Sequence, residues 1–342
     1  MKIIIRPADL NQDKQILVTT LRRYLTPSSD ENRFEWLYRQ NPHGPARAWL
    51  AEDHEGGEVV GASAAFRRRA IVDGREKTGW VLGDFCVADR YRSLGPALQL
   101  QRSTLAAMHD FREAEFCYDF PSRQLTAIYR RLGMTPSAQM VRLAKPLRVD
   151  DKCQQLTRSK FLATPASWLG NSLLRLTDSR LDSGKGWDIA LHEGHCGDEF
   201  TSLMEKTPAT NSFAIQRSAE YLNWRYLRHP FFKHCILAAR RSGELQGYLV
   251  FTCTDQNAQI AEWYAGEDTA LLASLVRDLV RRLRETRTMT LSAFLLDTDP
   301  RLPFLRTMGF WPRESTPVMM HWPGSLAVPA GEWHLMYGDR DS

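Results

Sequence analysis

Arg92-Ser93-Leu94-Gly95-Pro96-Ala97 joins a strand-like run, Val81-Leu82-Gly83-Asp84-Phe85-Cys86-Val87, to a helical stretch beginning Leu98-Gln99-Leu100-Gln101. That order of elements makes an anion site. The first N–H groups of a helix have no partner within it, and the peptide dipoles add partial positive charge there. Gly95 lets the backbone come close to a ligand, Pro96 suits the start of a helix, and Arg92 supplies a permanent cation. A pyrophosphate fits such a site.

The elements that must position this loop occur twice. Trp36-Leu37-Tyr38-Arg39-Gln40-Asn41-Pro42 and Trp224-Arg225-Tyr226-Leu227-Arg228-His229-Pro230 share the pattern W-x-Y-x-x-x-P. Each is followed by two apolar runs around a Gly-containing turn, at Glu55 to Glu58 and at Ser242 to Glu244, which predicts a hairpin in each copy. Each copy closes on an amphipathic stretch stopped by glycine, Ile128 to Gly133 and Pro303 to Gly309. The chain therefore reads as a duplication: residues 1–146, a linker over 147–186 with helical spacing, and residues 187–342.

The composition is that of a globular protein of 342 residues, 43% hydrophobic and 25% charged, long enough for two cores. A net charge of +5, with clusters at Arg67 to Arg69 and Arg281 to Arg287, favours phosphate-bearing small molecules. Nucleic acid is not expected as a partner, because no zinc-finger spacing, RNP-type motif or basic helix accompanies the charge. The six cysteines lie apart with no C-x-x-C pair, which points to a reducing compartment. No run of eighteen apolar residues spans a bilayer and no signal-like segment opens the chain, so a cytoplasmic location is expected. His192-Glu193-Gly194-His195-Cys196 lacks the H-E-x-x-H helix spacing, and no metal is expected.

Arg92 to Ala97 matches R-x-x-G-x-A, and behind a strand ending at Val87 it resembles the acyl-coenzyme A loop of the GNAT superfamily of N-acyltransferases. The opening Ile3-Ile4-Ile5-Arg6-Pro7-Ala8 resembles that family's first strand. Tyr129-Arg130-Arg131-Leu132-Gly133-Met134 resembles its late helix, Y-x-K-x-G-F. The resemblance implies an α/β (α+β) fold of two tandem domains, each a mixed, mostly antiparallel sheet flanked by helices. It implies acetyl-CoA or another acyl-CoA as co-substrate, with Arg92, Ser93, Leu94, Gly95, Pro96 and Ala97 holding the pyrophosphate. Phe85, Cys86 and Val87 would offer backbone groups to the pantetheine arm. Ser122 and Leu125 stand where the family often has asparagine and alanine; Ser122 keeps a hydroxyl, and it and Arg131 join the cofactor-binding set. Tyr129 is the implied general acid for the departing thiolate. Asp84, beside the loop, and Asp119, ahead of Pro121 at another strand end, are the candidates for base or amine-orienting group.

The second copy has no such loop. Glu267 and Asp268 stand where phosphate would need positive charge, and Phe304 or Leu305 takes the tyrosine position, so this copy is expected not to bind coenzyme A but to be structural or to complete an acceptor pocket between the domains. Trp36, Tyr38, Trp224 and Tyr226 are expected in the core. The ending, Trp333 to Asp341, resembles that of tandem proteins of bacterial exopolysaccharide loci, which implies an amino-sugar acceptor. Other readings of the doubled fold are a ligase that moves amino acids from transfer RNA to a peptidoglycan precursor, which lacks the coenzyme A loop, and a non-catalytic coenzyme A-binding or regulatory protein. The oligomeric state is open.

Overall fold

The computed structural model describes residues 2–92, 94–111, 113–150, 186–206, 213–266, 268–323 and 333–341. The linker helix expected within 147–186 falls almost wholly outside them.

In the first copy the elements run β1 (Ile3–Pro7), α1 (Lys14–Tyr24), α2 (Glu31–Phe34), β2 (Arg47–Asp53), β3 (Val59–Val72), β4 (Arg75–Val87), α3 (Leu94–Phe111), β5 (Phe116–Asp119), α4 (Arg123–Arg131) and β6 (Pro136–Pro146). Beyond residue 186 come β7 (Asp188–Leu191), α5 (Asp198–Lys206), β8 (Phe213–Ile215), α6 (Ala219–Leu222), β9 (His234–Arg241), β10 (Glu244–Thr254), β11 (Asn257–Tyr264), α7 (Thr269–Glu285), β12 (Thr290–Leu296), α8 (Leu302–Thr307), β13 (Trp311–His321) and β14 (Trp333–His334). Both expected hairpins form, β2 with β3 and β9 with β10. The late helices α4 and α8 each end before a glycine at positive φ, Gly133 at 81° and Gly309 at 84°, which a side chain would resist.

The strands form one fourteen-stranded mixed sheet, ordered β1-β2-β3-β4-β5-β13-β6-β12-β11-β10-β9-β7, with β8 and β14 off that path. Its centre is an exchange. The last strand of the second copy, β13, lies against β5 of the first, while β6 lies against β12 of the second, and β13 and β6 pair with each other. The boundary at residue 146 thus separates repeats in sequence but not sheets in space.

The duplicated W-x-Y segments form a second seam. Each adopts a single wide turn, Glu35–Arg39 and Asn223–Leu227, with i→i+5 hydrogen bonding such as Gln40 N–H to Glu35 O. The Trp36 and Trp224 rings stack at 5.2 Å, and each indole N–H donates to the other residue's carbonyl at 2.8 Å across a separation of 188 residues. These aromatics are core, as expected. Arg68 is also fully buried beneath them, over Trp224, so the Arg67 to Arg69 cluster is not a surface patch.

Candidate active site

Strands β4 and β5 pair in parallel only from Gly79 with Phe116 to Val81 with Tyr118. β4 then continues to Val87 whereas β5 stops at Asp119, so the sheet opens between them. At that place β4 carries a bulge opposite Ala62 to Ala64, and Asp84 takes a φ of 45°. Two cavities meet in the opening. One, of about 410 Å³, is lined by Phe85, Cys86, Val87, Arg92, Ala97 and Ser122; the other, of about 680 Å³, by Arg33, Asp84, Asp119, Arg340 and Asp341 among others. They share Phe85, Ser122 and Leu125 and form one cleft.

At the outer end, α3 begins at Leu94, earlier than the Leu98 expected from sequence, because Gly95 and Pro96 join its first turn. Proline is tolerated there because its missing N–H would have no partner in the helix. No acidic residue stands in that turn, and Gly95 is exposed. The Arg92 guanidinium is 61% exposed and meets Asp89 at 2.8 Å. An exposed pair of this kind contributes little and is readily exchanged for a phosphate. Pro96 and Ala97 are buried; Ser93 and the side chain of Leu94 lie outside the described residues. Ser122 caps α4, accepting from Leu125 N–H at 3.3 Å, and stands exposed at the junction of the cavities. Arg131 is exposed in the last turn of α4. Burial pushes the Cys86 thiol up to about 12, which removes it as a nucleophile and leaves its backbone as its contribution to the wall.

The two candidate carboxylates part ways. Asp84 accepts from both terminal nitrogens of Arg33 at 2.7 and 2.6 Å and from the Tyr38 hydroxyl at 2.8 Å, all buried. Those bonds fix the bulged strand, and a carboxylate so engaged is a structural counter-ion, which corrects the expectation of a base at this position. Asp119 stands on the wall of the larger cavity. Burial raises its carboxyl to about 7, against the pull of the Tyr129 hydroxyl, which donates to Oδ2 at 2.6 Å. Tyr129 itself is fully buried, also reaching Gln101 Oε1 at 3.3 Å, and burial and Asp119 hold its phenol well above the ordinary value. The tyrosine expected as acid for the departing thiolate thus donates its hydroxyl to Asp119 and orients that carboxyl.

The sequence reading missed the tail. In the second copy β11 and β12 also part after a short parallel ladder, Asn257 with Thr290 to Gln259 with Ser292. Residues 333–341 fill that gap: Met336 bridges Leu295, Tyr337 packs on Phe294, and a side chain at Gly338 would collide with the Tyr226 ring. Asp339, fully buried, accepts from Arg217 at 2.7 and 2.8 Å, and Arg225 donates to the carbonyls of Gly338 and Arg340 at 2.9 and 3.0 Å. The second copy is thus closed by residues 333–341. The Asp268 carboxylate meanwhile caps Ala270 and Leu271 N–H at the start of α7, and Leu305 occupies the tyrosine position, fully buried. The tail then delivers Asp341 to the first copy's cavity, where its Oδ2 lies 3.4 Å from Asp84 N and its carboxyl is raised by burial and by Asp84. Only glycine fits at position 83, because an added Cβ would stand 2.5 Å from the Cβ of Asp341. Gly83→Ala is expected to displace the segment around Asp341, read as faster cleavage there by an endoprotease than in the wild type.

Among the described residues no group of His, Cys, Asp and Glu is arranged to hold a metal, and no helix is long and apolar enough to cross a membrane. His192 instead lies 3.1 Å from the His195 carbonyl, and Cys196 is buried beside Asn223.

No family model and no curated protein matches the sequence. In structure the chain is similar to a conserved protein of Enterococcus faecalis V583 described as a probable N-acyltransferase, at a TM-score of 0.69 and 12% identity over 94% of this chain and 73% of that one. It is similar also to a GCN5-related N-acetyltransferase from Anabaena variabilis (TM-score 0.68, 14% identity, 94% and 73%). Saccharomyces cerevisiae N-myristoyltransferase with bound myristoyl-CoA gives a TM-score of 0.58 at 11% identity, over 93% and 78%. With the opened β4–β5 edge and the repeated order of elements, these likenesses establish that the chain has the fold of the GCN5-related N-acyltransferases.

Proposed function

We propose that this chain is an acyl-CoA-dependent N-acyltransferase whose reaction takes place in the first copy, at the opening between β4 and β5. The observation that carries this reading is the cleft itself. One end has an uncapped-by-acid helix start beside an exposed arginine, and the other has a carboxyl poised near neutrality. The fit to an acyl-CoA is physical. The start of the 18-residue α3, Gly95 and Arg92 suit a pyrophosphate, and the β4 edge beyond Val81 offers backbone groups to a pantetheine arm, with Ser122 at the turn between cavities. The thioester supplies an electrophilic carbonyl and a thiolate leaving group.

Asp119 takes the proton that the attacking amine loses as its nitrogen bonds to the acyl carbon. A carboxyl at about 7 is half ionised at neutral pH, where a general base is most effective. Tyr129 fixes the carboxylate through Oδ2. Asp84 and Arg33 hold the bulge. The acceptor is a small-molecule amine, an amino sugar or cell-surface polysaccharide precursor among the compounds to be tried.

Calorimetric titration with acetyl-CoA and with free coenzyme A tests the reading. Wild type is expected to bind both, and Arg92→Ala combined with Gly95→Trp to lose binding by tenfold or more while remaining folded. A folded wild type that binds neither short nor long acyl-CoA would end the proposal.

A further inference from the structure

The larger cavity does not stop at His229, Phe232 and Tyr337. The same side chains line a hollow of about 300 Å³ on their other side, over the sheet of the second copy. Its lining differs in kind. The first cavity carries Asp84, Asp119 and Asp341 beside Arg33 and Arg340, whereas the lining of this one includes Arg142, Arg225, His234 and Gln259 and no carboxylate among the described residues. The nearby acids are already engaged. Glu262 is met by Arg217 Nε at 2.8 Å and by the Tyr248 hydroxyl at 2.9 Å, and Glu314 pairs with Arg142.

Donors around the hollow are left over. Arg225 is 3% exposed; its Nε and Nη2 serve the tail carbonyls, whereas Nη1 has no partner. Gln259 Nε2 is likewise buried and unpaired. Native interiors leave few such groups, and two bordering one hollow call for a ligand that satisfies them. Burial chiefly, with Arg225 adding to it, holds the His229 and His234 imidazoles down, at about 3 and about 4, so both rings are neutral. The space accommodates a phosphate or carboxylate with several waters, at about 30 Å³ per water.

We infer that the hollow receives the anionic end of the acceptor, a carboxylate or phosphate, while the acceptor's amine lies at Asp119: the substrate is a small molecule carrying an amine at one end and an anion at the other. This rests on the acyltransfer reading for the amine end only. Phe232 and Tyr337, which line both cavities, would flank the body of such a molecule.

The test separates the two readings by measuring binding and turnover independently. The full chain is titrated with ω-amino carboxylates and ω-aminoalkyl phosphates of three to eight carbons, and with alkylamines and α,ω-diamines of the same lengths. The best anionic compound is expected to bind at least tenfold tighter than its matched alkylamine. Gln259→Glu and Arg142→Gln, which leave the tail anchor Arg225 untouched, are expected to bring that ratio towards one. A preference of the carboxylates over the phosphates, or the reverse, identifies the head group. Equal binding of all four series, or tighter binding of the diamines, overturns the inference. Transfer from acetyl-CoA is then followed with the same compounds. Transfer to alkylamines without any gain for anionic acceptors counts against the hollow, whereas tight anion binding with no transfer to any amine counts against the acyltransferase and leaves the anion site standing.

Discussion

Asp119→Asn is expected to cost turnover a factor of about 10²–10⁴ and, at alkaline pH, to make the protein more stable. The two effects share one cause. In the fold the Asp119 carboxyl sits at about 7, against 3.8 as its ordinary value, because ionising it there requires burying a charge. Between about pH 4 and 7 the folded state holds a proton that the unfolded state has released, so stability falls as pH rises through that window and the full penalty is present above it. At 1.36 kcal/mol per pKa unit the penalty reaches up to about 4 kcal/mol. Asparagine has the same shape, keeps an acceptor for the Tyr129 hydroxyl and carries no charge. Its melting temperature should therefore exceed that of wild type by more at pH 8 than at pH 5, while wild-type kcat/KM rises with pH through about 7. Absence of this pH-dependent gain in stability would show that the carboxyl is not raised in the fold, and an Asp119→Asn variant of undiminished turnover would remove Asp119 from the proton transfer.

The second large effect belongs to Arg217. Removing its guanidinium by Arg217→Met leaves Glu262 and Asp339 as buried carboxylates without their cation, and breaking a buried pair in this way costs about 3–5 kcal/mol. The expected readout is a much lower denaturant midpoint, with residues 333–341 open to an endoprotease under conditions where the wild-type segment resists. Arg217→Lys should restore little, because one ammonium cannot serve both carboxylates in the geometry of the guanidinium fork. An unchanged midpoint would mean that the tail is held by its apolar contacts, chiefly Trp333, Leu335 and Met336.

Much of this architecture was legible in the sequence because it rests on local rules. Gly133 and Gly309 stop helices wherever they stand, and the paired W-x-Y segments announced both the repeat and their own burial. Arg92 to Ala97 could be placed at a helix start because glycine, proline and arginine each have a positional meaning there. Asp119 could be named because it ends a strand. What could not be read depends on distant partners. Nothing near Asp84 in sequence signals that Arg33, 51 residues away, will neutralise it. Tyr129 has the spacing of an acid, but the direction of its hydroxyl is decided by Asp119. Arg217, Arg225 and Asp339 are ordinary charged residues until the tail returns across the sheet. The one sequence-level signal of that return was the dense, largely apolar Trp-His-Leu-Met-Tyr run at 333–337.

The exchange of β13 and β6 at the centre of the sheet also governs when the fold can exist. As the chain is made from its amino terminus, β5 has its β4 partner early, but its other neighbour ends at residue 321. Until then one edge of β5 stays open, and the Trp36 ring awaits a partner 188 residues further on. Pairings so remote in sequence close slowly and leave an unpaired strand edge in the meantime. A ribosome-bound first copy would thus be an incomplete sheet, which closes only once β13 has been synthesised.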